Sequence, residues 1–223
     1  MKFELENFYD RIKKDKNKLI NPNYNIHKMN IPFRAVIIGS SGSGKTQTLL
    51  NIIKAFNNTF MTITIITKNS DEPLYNYLKS VVSPEQLFIY EGIENIPKLD
   101  TFNKNVNNLI VFDDLILDNL KDIGQYFIRA RKLNISCIFI SQSYYSTNKD
   151  FKIIRRNINY LIIKKVSSLK ELDLIAREYS INFNKKEFHK LYNDITKEFI
   201  NFMLIDCDAS DDKKFRKNFD III

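Results

Sequence analysis

Two periodicities take turns along this chain. Short runs of consecutive β-branched and apolar residues alternate with stretches in which apolar residues recur every three or four positions. Phe3, Leu5, Phe8, Ile12 and Leu19 fall at helical spacing opposite Lys13, Lys14, Lys16 and Lys18, which predicts an amphipathic helix over 1–20 that ends at Asn21-Pro22-Asn23. Beyond Ile31-Pro32, the run 33–38 reads as a buried strand, 48–56 as a helix and 61–67 as a strand. Asp71-Glu72-Pro73 opens a helix through Val82, and 87–90 is a short strand. An Asn-rich surface loop over 100–108 precedes a strand at 109–112, a helix over 118–132 and a strand over 135–141. A polar, aromatic loop and a short helix follow, then a strand at 160–165, helices over 168–179 and 184–194, and a last strand over 199–205. This alternation predicts an α/β fold, a mostly parallel central sheet with helices on both faces. Residues 1–30 are expected to form a helix and lead-in, 31–207 one domain, and 208–223 a charged, loosely held tail.

Gly39-Ser40-Ser41-Gly42-Ser43-Gly44-Lys45-Thr46 sits between the first core strand and the next helix. It fits G-x-x-x-x-G-K-[ST], a loop that cradles the phosphates of a nucleoside triphosphate. Gly39, Gly42 and Gly44 let the backbone turn so that successive N–H groups face the anion at a helix N-terminus. Lys45 supplies a charge to the β- and γ-phosphates, and the Thr46 hydroxyl is suited to ligate Mg²⁺. The predicted ATP site therefore runs from Gly39 to Gln47.

A magnesium site needs a carboxylate as well. Leu109-Ile110-Val111-Phe112 ends in Asp113 and Asp114, at the strand end where α/β sheets place their ligands. Asp113 is the expected metal acid and Asp114 the residue that orients or deprotonates the attacking water. Ile138-Phe139-Ile140-Ser141 ends in Gln142, an amide placed to bond the γ-phosphate or that water. A guanidinium that neutralises transition-state charge is the remaining requirement, and Arg129, Arg131, Arg155 and Arg156 are available for it. Arg129 and Arg131, two apart on a helix, face different sides, so only one of them points at a shared site.

Net charge is +8, which favours a polyanionic partner such as nucleic acid. No apolar run approaches the roughly 18–20 residues needed to cross a bilayer, and the first residues lack the apolar core of a secretory signal. The expected place of action is intracellular. Cys137 and Cys207 suit a reducing compartment and lack metal-ligand spacing. No Leu-Ser-Gly-Gly-Gln stretch of transporter ATPases occurs, and Asn148-Lys149-Asp150 has its acid one residue too early for a guanine-reading motif.

Taken together, the phosphate loop, the 109–114 strand with its acids, Arg129-Ala130-Arg131 leading into Phe139-Ile140-Ser141-Gln142, and Ile154-Arg155-Arg156-Asn157 resemble the genome-packaging ATPases of large DNA viruses and virophages, in the FtsK/HerA superfamily. The resemblance covers about residues 31 to 166. It implies a P-loop NTPase with a RecA-like ASCE core, working as an ATP- and Mg²⁺-dependent translocase of double-stranded DNA. It further implies Gln142 as sensor, one of Arg129, Arg131 and Arg155 as a finger acting on a neighbouring subunit, and a homo-oligomeric ring, expected to be a hexamer. A capsid or portal-vertex partner and a place in the virus factory of an infected cell, or in the virion, follow from the same resemblance. A replication helicase and a nucleotide-binding structural protein are the alternatives. Tyr144-Tyr145-Ser146-Thr147-Asn148-Lys149 and the 103–108 segment are the candidate DNA-facing loops.

Overall fold

The computed structural model describes residue 6 and residues 19–179 and 184–221, so the expected helix over 1–20 lies almost wholly outside the described residues. In chain order the strands are β1 Arg34–Ile38, β2 Thr62–Thr67, β3 Leu87–Glu91, β4 Asn108–Asp113, β5 Ile135–Ser141, β6 Tyr160–Ile163, β7 Met203–Asp206, β8 Phe215–Lys217 and β9 Asp220–Ile221. The helices are α1 Tyr24–His27, α2 Lys45–Ala55, α3 Pro73–Val81, α4 Lys121–Arg129, α5 Lys149–Arg156, α6 Leu169–Tyr179 and α7 Lys185–Ile195.

All these strands join one sheet, ordered β3-β2-β4-β5-β1-β6-β7-β8-β9. From β3 to β6 every pairing is parallel, and from β6 onward every pairing is antiparallel. Parallel strands need crossovers, and the crossover helices cover both faces. Along β1, Val36 and Ile38 face one layer, with Phe127, Phe151, Ile175 and Phe188 from α4 to α7. Ala35 and Ile37 face the other, with Leu49 and Ile52 of α2 and Tyr75 and Leu78 of α3. Strands β4 and β5 are buried at every position, which is why their sequences read as unbroken apolar runs rather than alternating ones.

Local signals set the helix starts. Pro73 occupies the first turn of α3. Asn148 caps α5 by accepting from the Asp150 and Phe151 amides, and Asn184 with Glu187 closes a capping box on α7. The helix expected through Lys132 stops at Arg129 and tightens into a 3₁₀ turn over Ala130–Leu133, which Asn134 ends in a left-handed conformation with φ 55°. Among the described residues no helix is long and apolar enough to cross a membrane.

Two departures from the sequence reading lie in the last third. The strand expected from Phe199 begins only at Met203. The ammonium of Lys164 takes hydrogen bonds to the carbonyls of Phe199 and Asn201, which holds the preceding turn off the ladder. The segment expected as a loose tail instead extends the sheet as β8 and β9. Its charges misled the reading, because Arg216 points inward. It is 4% exposed, donates to Asp206 and also bonds the Lys28 carbonyl at 2.9 Å.

Removing one partner of a buried ion pair strands the other charge. Burial already raises the Asp206 carboxyl above its ordinary range, and Arg216 opposes that shift. Arg216→Ala is expected to destabilise the fold by roughly 3 kcal/mol in urea unfolding. Adding Asp206→Asn to it is expected to recover a substantial part of that loss.

Candidate functional site

The parallel register brings the ends of three strands to one edge of the sheet. Ile38 of β1 pairs with Ser141 of β5, and Ile140 of β5 pairs with Asp113 of β4. The residues that continue from these ends are Gly39, Gln142 and Asp114. Because β5 lies between β1 and β4, Gln142 stands between the glycine-rich loop and the aspartate pair.

The loop leaves β1 by donating from Gly39 N–H to the Ser141 carbonyl at 3.3 Å and from Ser40 N–H to the Lys165 carbonyl at 2.8 Å. Gly39 is required for space, since a Cβ there would stand 2.7 Å from the Lys164 Cβ and 2.5 Å from the Ser43 Oγ. Gly44 is required for conformation. It caps α2 at φ 86°, a left-handed geometry that side chains rarely adopt. The first amides of α2 have no carbonyl of their own helix to bond, so they present donors and the positive end of the helix dipole at this edge. Lys45 opens α2, and its Nζ donates to the carbonyls of Gly39 at 2.9 Å and Ser40 at 3.0 Å. Burial lowers its pKa, against the opposing fields of Asp113, Asp114 and Glu72. This lysine is therefore held over the loop and faces acid.

Asp113 is buried at 7% exposure. Desolvation pushes its carboxyl up to about 6. The Tyr75 hydroxyl, 2.5 Å from Oδ2, and the Lys45 charge work against that rise, while Glu72 and Asp114 add to it. A buried carboxylate with this bias gains from a nearby cation. Among the described residues no group of three or more His, Cys, Asp or Glu gathers as a metal cage. The expected donors, the Asp113 carboxylate and the Thr46 hydroxyl, are both hard oxygens. They suit a Mg²⁺ ion that takes its other ligands from water and phosphate. Asp114 is exposed and sits at φ 57°, a conformation in which Asp is enriched among non-glycine residues.

Gln142 is exposed directly after β5. The loop behind it is anchored from α6, where Glu171 accepts from the Ser143 hydroxyl at 2.7 Å and from the amides of Tyr144 and Tyr145. The tyrosine pair is engaged within the chain, while Ser146, Thr147 and Lys149 of the same candidate loop are exposed. Tyr144 is fully buried and bonded to the Tyr179 hydroxyl, and Tyr145 bonds Glu178 at 2.8 Å. In the other candidate DNA-facing segment, Asn107 and Asn108 are buried. The Asn107 amide bonds the Thr59 carbonyl at 3.1 Å, and the Thr62 hydroxyl bonds Asn108 at 2.8 Å.

The arginines divide. Arg155 stacks over Tyr145 at 4.2 Å and Tyr144 at 4.9 Å from the ring centroids, so its guanidinium is engaged within the chain. Arg129 and Arg131 are exposed where the chain enters β5, and Arg131 is close enough to Arg34, at the start of β1, to depress its pKa after the larger effect of burial. Seven residues of β5 separate that edge from Gln142, about 20 Å at the rise of a strand. The structure therefore brings neither of them to this chain's own phosphate loop. Sequence reasoning missed Glu72 and Tyr75 on the other flank, because Tyr75 shares helical spacing with Leu78 and reads as core. It also missed Lys164 and Phe199, which wall the loop's far side.

The Poxvirus A32 protein family profile matches residues 23–205. The chain belongs to that family. Within it, the chain is similar to DNA packaging protein OPG160 of Variola virus, 26% identical over 179 residues, covering 74% of this chain and 64% of the relative. The same-named protein of Monkeypox virus is 25% identical over 179 residues, covering 74% and 58%. This member of the A32 family thus spans a little under two thirds of the length of those relatives. Its fold is that of the genome packaging NTPase B204 from Sulfolobus turreted icosahedral virus 2, solved in complex with ATP-γS. There the TM-score is 0.58 at 16% identity, with 87% of this chain and 100% of that one covered. EssC (ATPases 2 and 3) from Geobacillus thermodenitrificans shares the fold at TM-score 0.54 and 11% identity, covering 85% of this chain and 40% of that one.

Asp113→Asn removes a charge that burial disfavours and keeps an acceptor for Tyr75. A carboxyl whose pKa rises on folding adds stability below its unfolded value, and that gain is lost as pH rises through about 6. The variant is therefore expected to be more stable than the parent at pH 7.5, by roughly 1–3 kcal/mol, with the gain shrinking toward pH 4. Urea unfolding at the two pH values checks this.

Proposed function

We propose that this chain is an ATP-driven translocase of double-stranded DNA that loads a viral genome into its capsid, working with Mg²⁺ in a homo-oligomeric ring, expected to be a hexamer. The observation that carries the reading is the alignment, at one sheet edge, of the phosphate loop, Gln142 and the Asp113–Asp114 pair. The names of the OPG160 relatives and of the B204 neighbour support it, and so does the charge of +8, since a pump must hold a polyanion without reading its sequence.

In this mechanism the α2 amides and Lys45 take the β- and γ-phosphates, and Lys45 exchanges its loop carbonyls for phosphate oxygens. Thr46 and Asp113 would hold Mg²⁺, which would supply charge neutralisation to the phosphates. Asp114 orients or deprotonates the attacking water, and Gln142 bonds the γ-phosphate or that water and reports hydrolysis along its Glu171-anchored loop. Arg129 or Arg131 completes the site of a neighbouring copy. Their exposure on the far edge supports action in trans, whereas the stacking of Arg155 argues against that residue as the finger. Action in the virus factory of an infected cell, and contact with a capsid or portal-vertex protein, belong to the same proposal.

Steady-state ATP hydrolysis with and without long duplex DNA tests it. Turnover is expected to rise severalfold with duplex and to vanish in Lys45→Ala. Turnover indifferent to duplex, or stimulated only by single strands, overturns the pumping reading. If the finger acts in trans, mixing inactive Lys45→Ala with inactive Arg129→Ala or Arg131→Ala is expected to restore part of the activity for one of the two arginines. Neither variant recovers any when assayed alone.

A further inference from the structure

The phosphate loop has a second wall that the mechanism above leaves idle. The turn between α7 and β7, residues 196–202, folds back over the start of α2. At its tip Phe199 is 62% exposed, yet its ring lies against the loop, its Cζ 2.9 Å from where a Cβ on Gly44 would be. An exposed phenylalanine alone means little, since single apolar residues on a surface are ordinary. This one is fixed in place from below. Lys164, 2% exposed at the end of β6, donates to the carbonyls of Phe199 and of Asn201, the latter at 2.7 Å, and among the described residues no carboxylate shares in that bonding. Its ammonium also stands 5.5 Å from the centre of the ring. Burial lowers its pKa to about 8, so the fold carries a desolvated charge in order to hold this turn.

Between the turn and the loop is a cleft of about 410 Å³, walled by Ser40 to Ser43 on one side and Thr196 to Phe199 on the other. That volume falls in the range of roughly 300–1,000 Å³ typical of small-molecule sites. Two of the polar side chains lining it are committed elsewhere, while the Ser43 hydroxyl is buried with no hydrogen-bond partner among the described residues. The Thr196 hydroxyl donates to the Tyr192 carbonyl at 2.8 Å, and the Asn201 amide oxygen accepts from Asn218 at 3.0 Å. The cleft thus places an exposed aromatic ring beside the phosphate loop.

We propose that Phe199 is the platform on which the nucleobase of the bound triphosphate stacks, with Lys164 as the positioning residue that holds it over Gly44. The inference rests on the reading of Gly39 to Gln47 as a triphosphate site. Stacking acts on the base and not on the phosphates, so it is separable from that reading.

The test is calorimetric titration of the full chain with ATP and with inorganic tripolyphosphate, both with magnesium. The wild-type chain is expected to prefer ATP by roughly tenfold, the scale of one aromatic–base stack. Phe199→Ala is expected to abolish that preference while binding tripolyphosphate as before. Phe199→Trp is expected to retain it. Because the chain has no tryptophan, the introduced indole also reports directly, its fluorescence falling with ATP and not with tripolyphosphate. Undiminished ATP binding by Phe199→Ala overturns the proposal, as does equal loss of both ligands, which makes the ring a mere support for the loop. If the wild-type chain binds neither ligand, or if Lys45→Ala changes neither affinity, the triphosphate site itself is wrong.

Discussion

Everything this site can do depends on the parallel register of β4, β5 and β1. Three buried strands run side by side and stop within one residue of each other, so the groups that follow them are neighbours although about a hundred residues separate Gly39 from Gln142. The register is itself a packing result. In strands buried on both faces a slip by one position would send every side chain to the opposite layer, where the close-packed helices are not shaped to receive it. The insertion of β5 between β1 and β4 then decides the chemistry. It spaces the phosphate loop from the acids by one strand and puts an amide in that interval.

Within this frame the described residues include four buried charges, one ion pair and two single groups, and these are handled differently. Arg216 is neutralised by Asp206 and ties the last strands to the chain near Lys28. Lys164 has carbonyl partners and holds a turn. Asp113 has, among the described residues, the Tyr75 hydroxyl bonded to its side chain and the field of Lys45 in its favour, so it is the least satisfied of them. A carboxylate left in that condition is a poor structural element and a good ligand, since a divalent cation relieves the same desolvation that burdens it. Stability given up at this position is what a cation-dependent site is expected to show.

How much of this was legible in the sequence follows from what kind of signal each feature leaves. The phosphate loop and its flanks are local, because one short segment contains the strand end, the turn and the helix start. Asp113 and Gln142 were legible for a related reason, as polar residues that end apolar runs. Tyr75 and Phe199 carry no such mark. Their periodicity is that of ordinary core residues, and only the tertiary placement of α3 and of the 196–202 turn brings a hydroxyl to Asp113 and a ring to Gly44. The tyrosine pair and the last strands failed for the opposite reason. Tyr144 and Arg216 look like surface residues by composition, but burial with specific partners, Tyr179 for one and Asp206 for the other, overrides the average behaviour of their types.

The arginines complete the argument from geometry. A transition state that develops charge on phosphate oxygens needs a cation beyond Lys45. Within one chain Arg155 is engaged by two tyrosines, Arg129 and Arg131 are held at the far edge of the sheet, and Arg156 is exposed at the end of α5. The far edge of one copy is the surface available to meet the near edge of the next. Head-to-tail contacts of that kind are heterologous, and they close into a ring when the rotation between copies permits. A site finished by the next copy also has a consequence for coupling. In the proposed ring, hydrolysis in one subunit would change the contact that holds its neighbour, so that chemistry and movement would share one interface. The exposed pair, Arg129 at the end of α4 and Arg131 in the 3₁₀ turn before β5, is where that interface is expected to form.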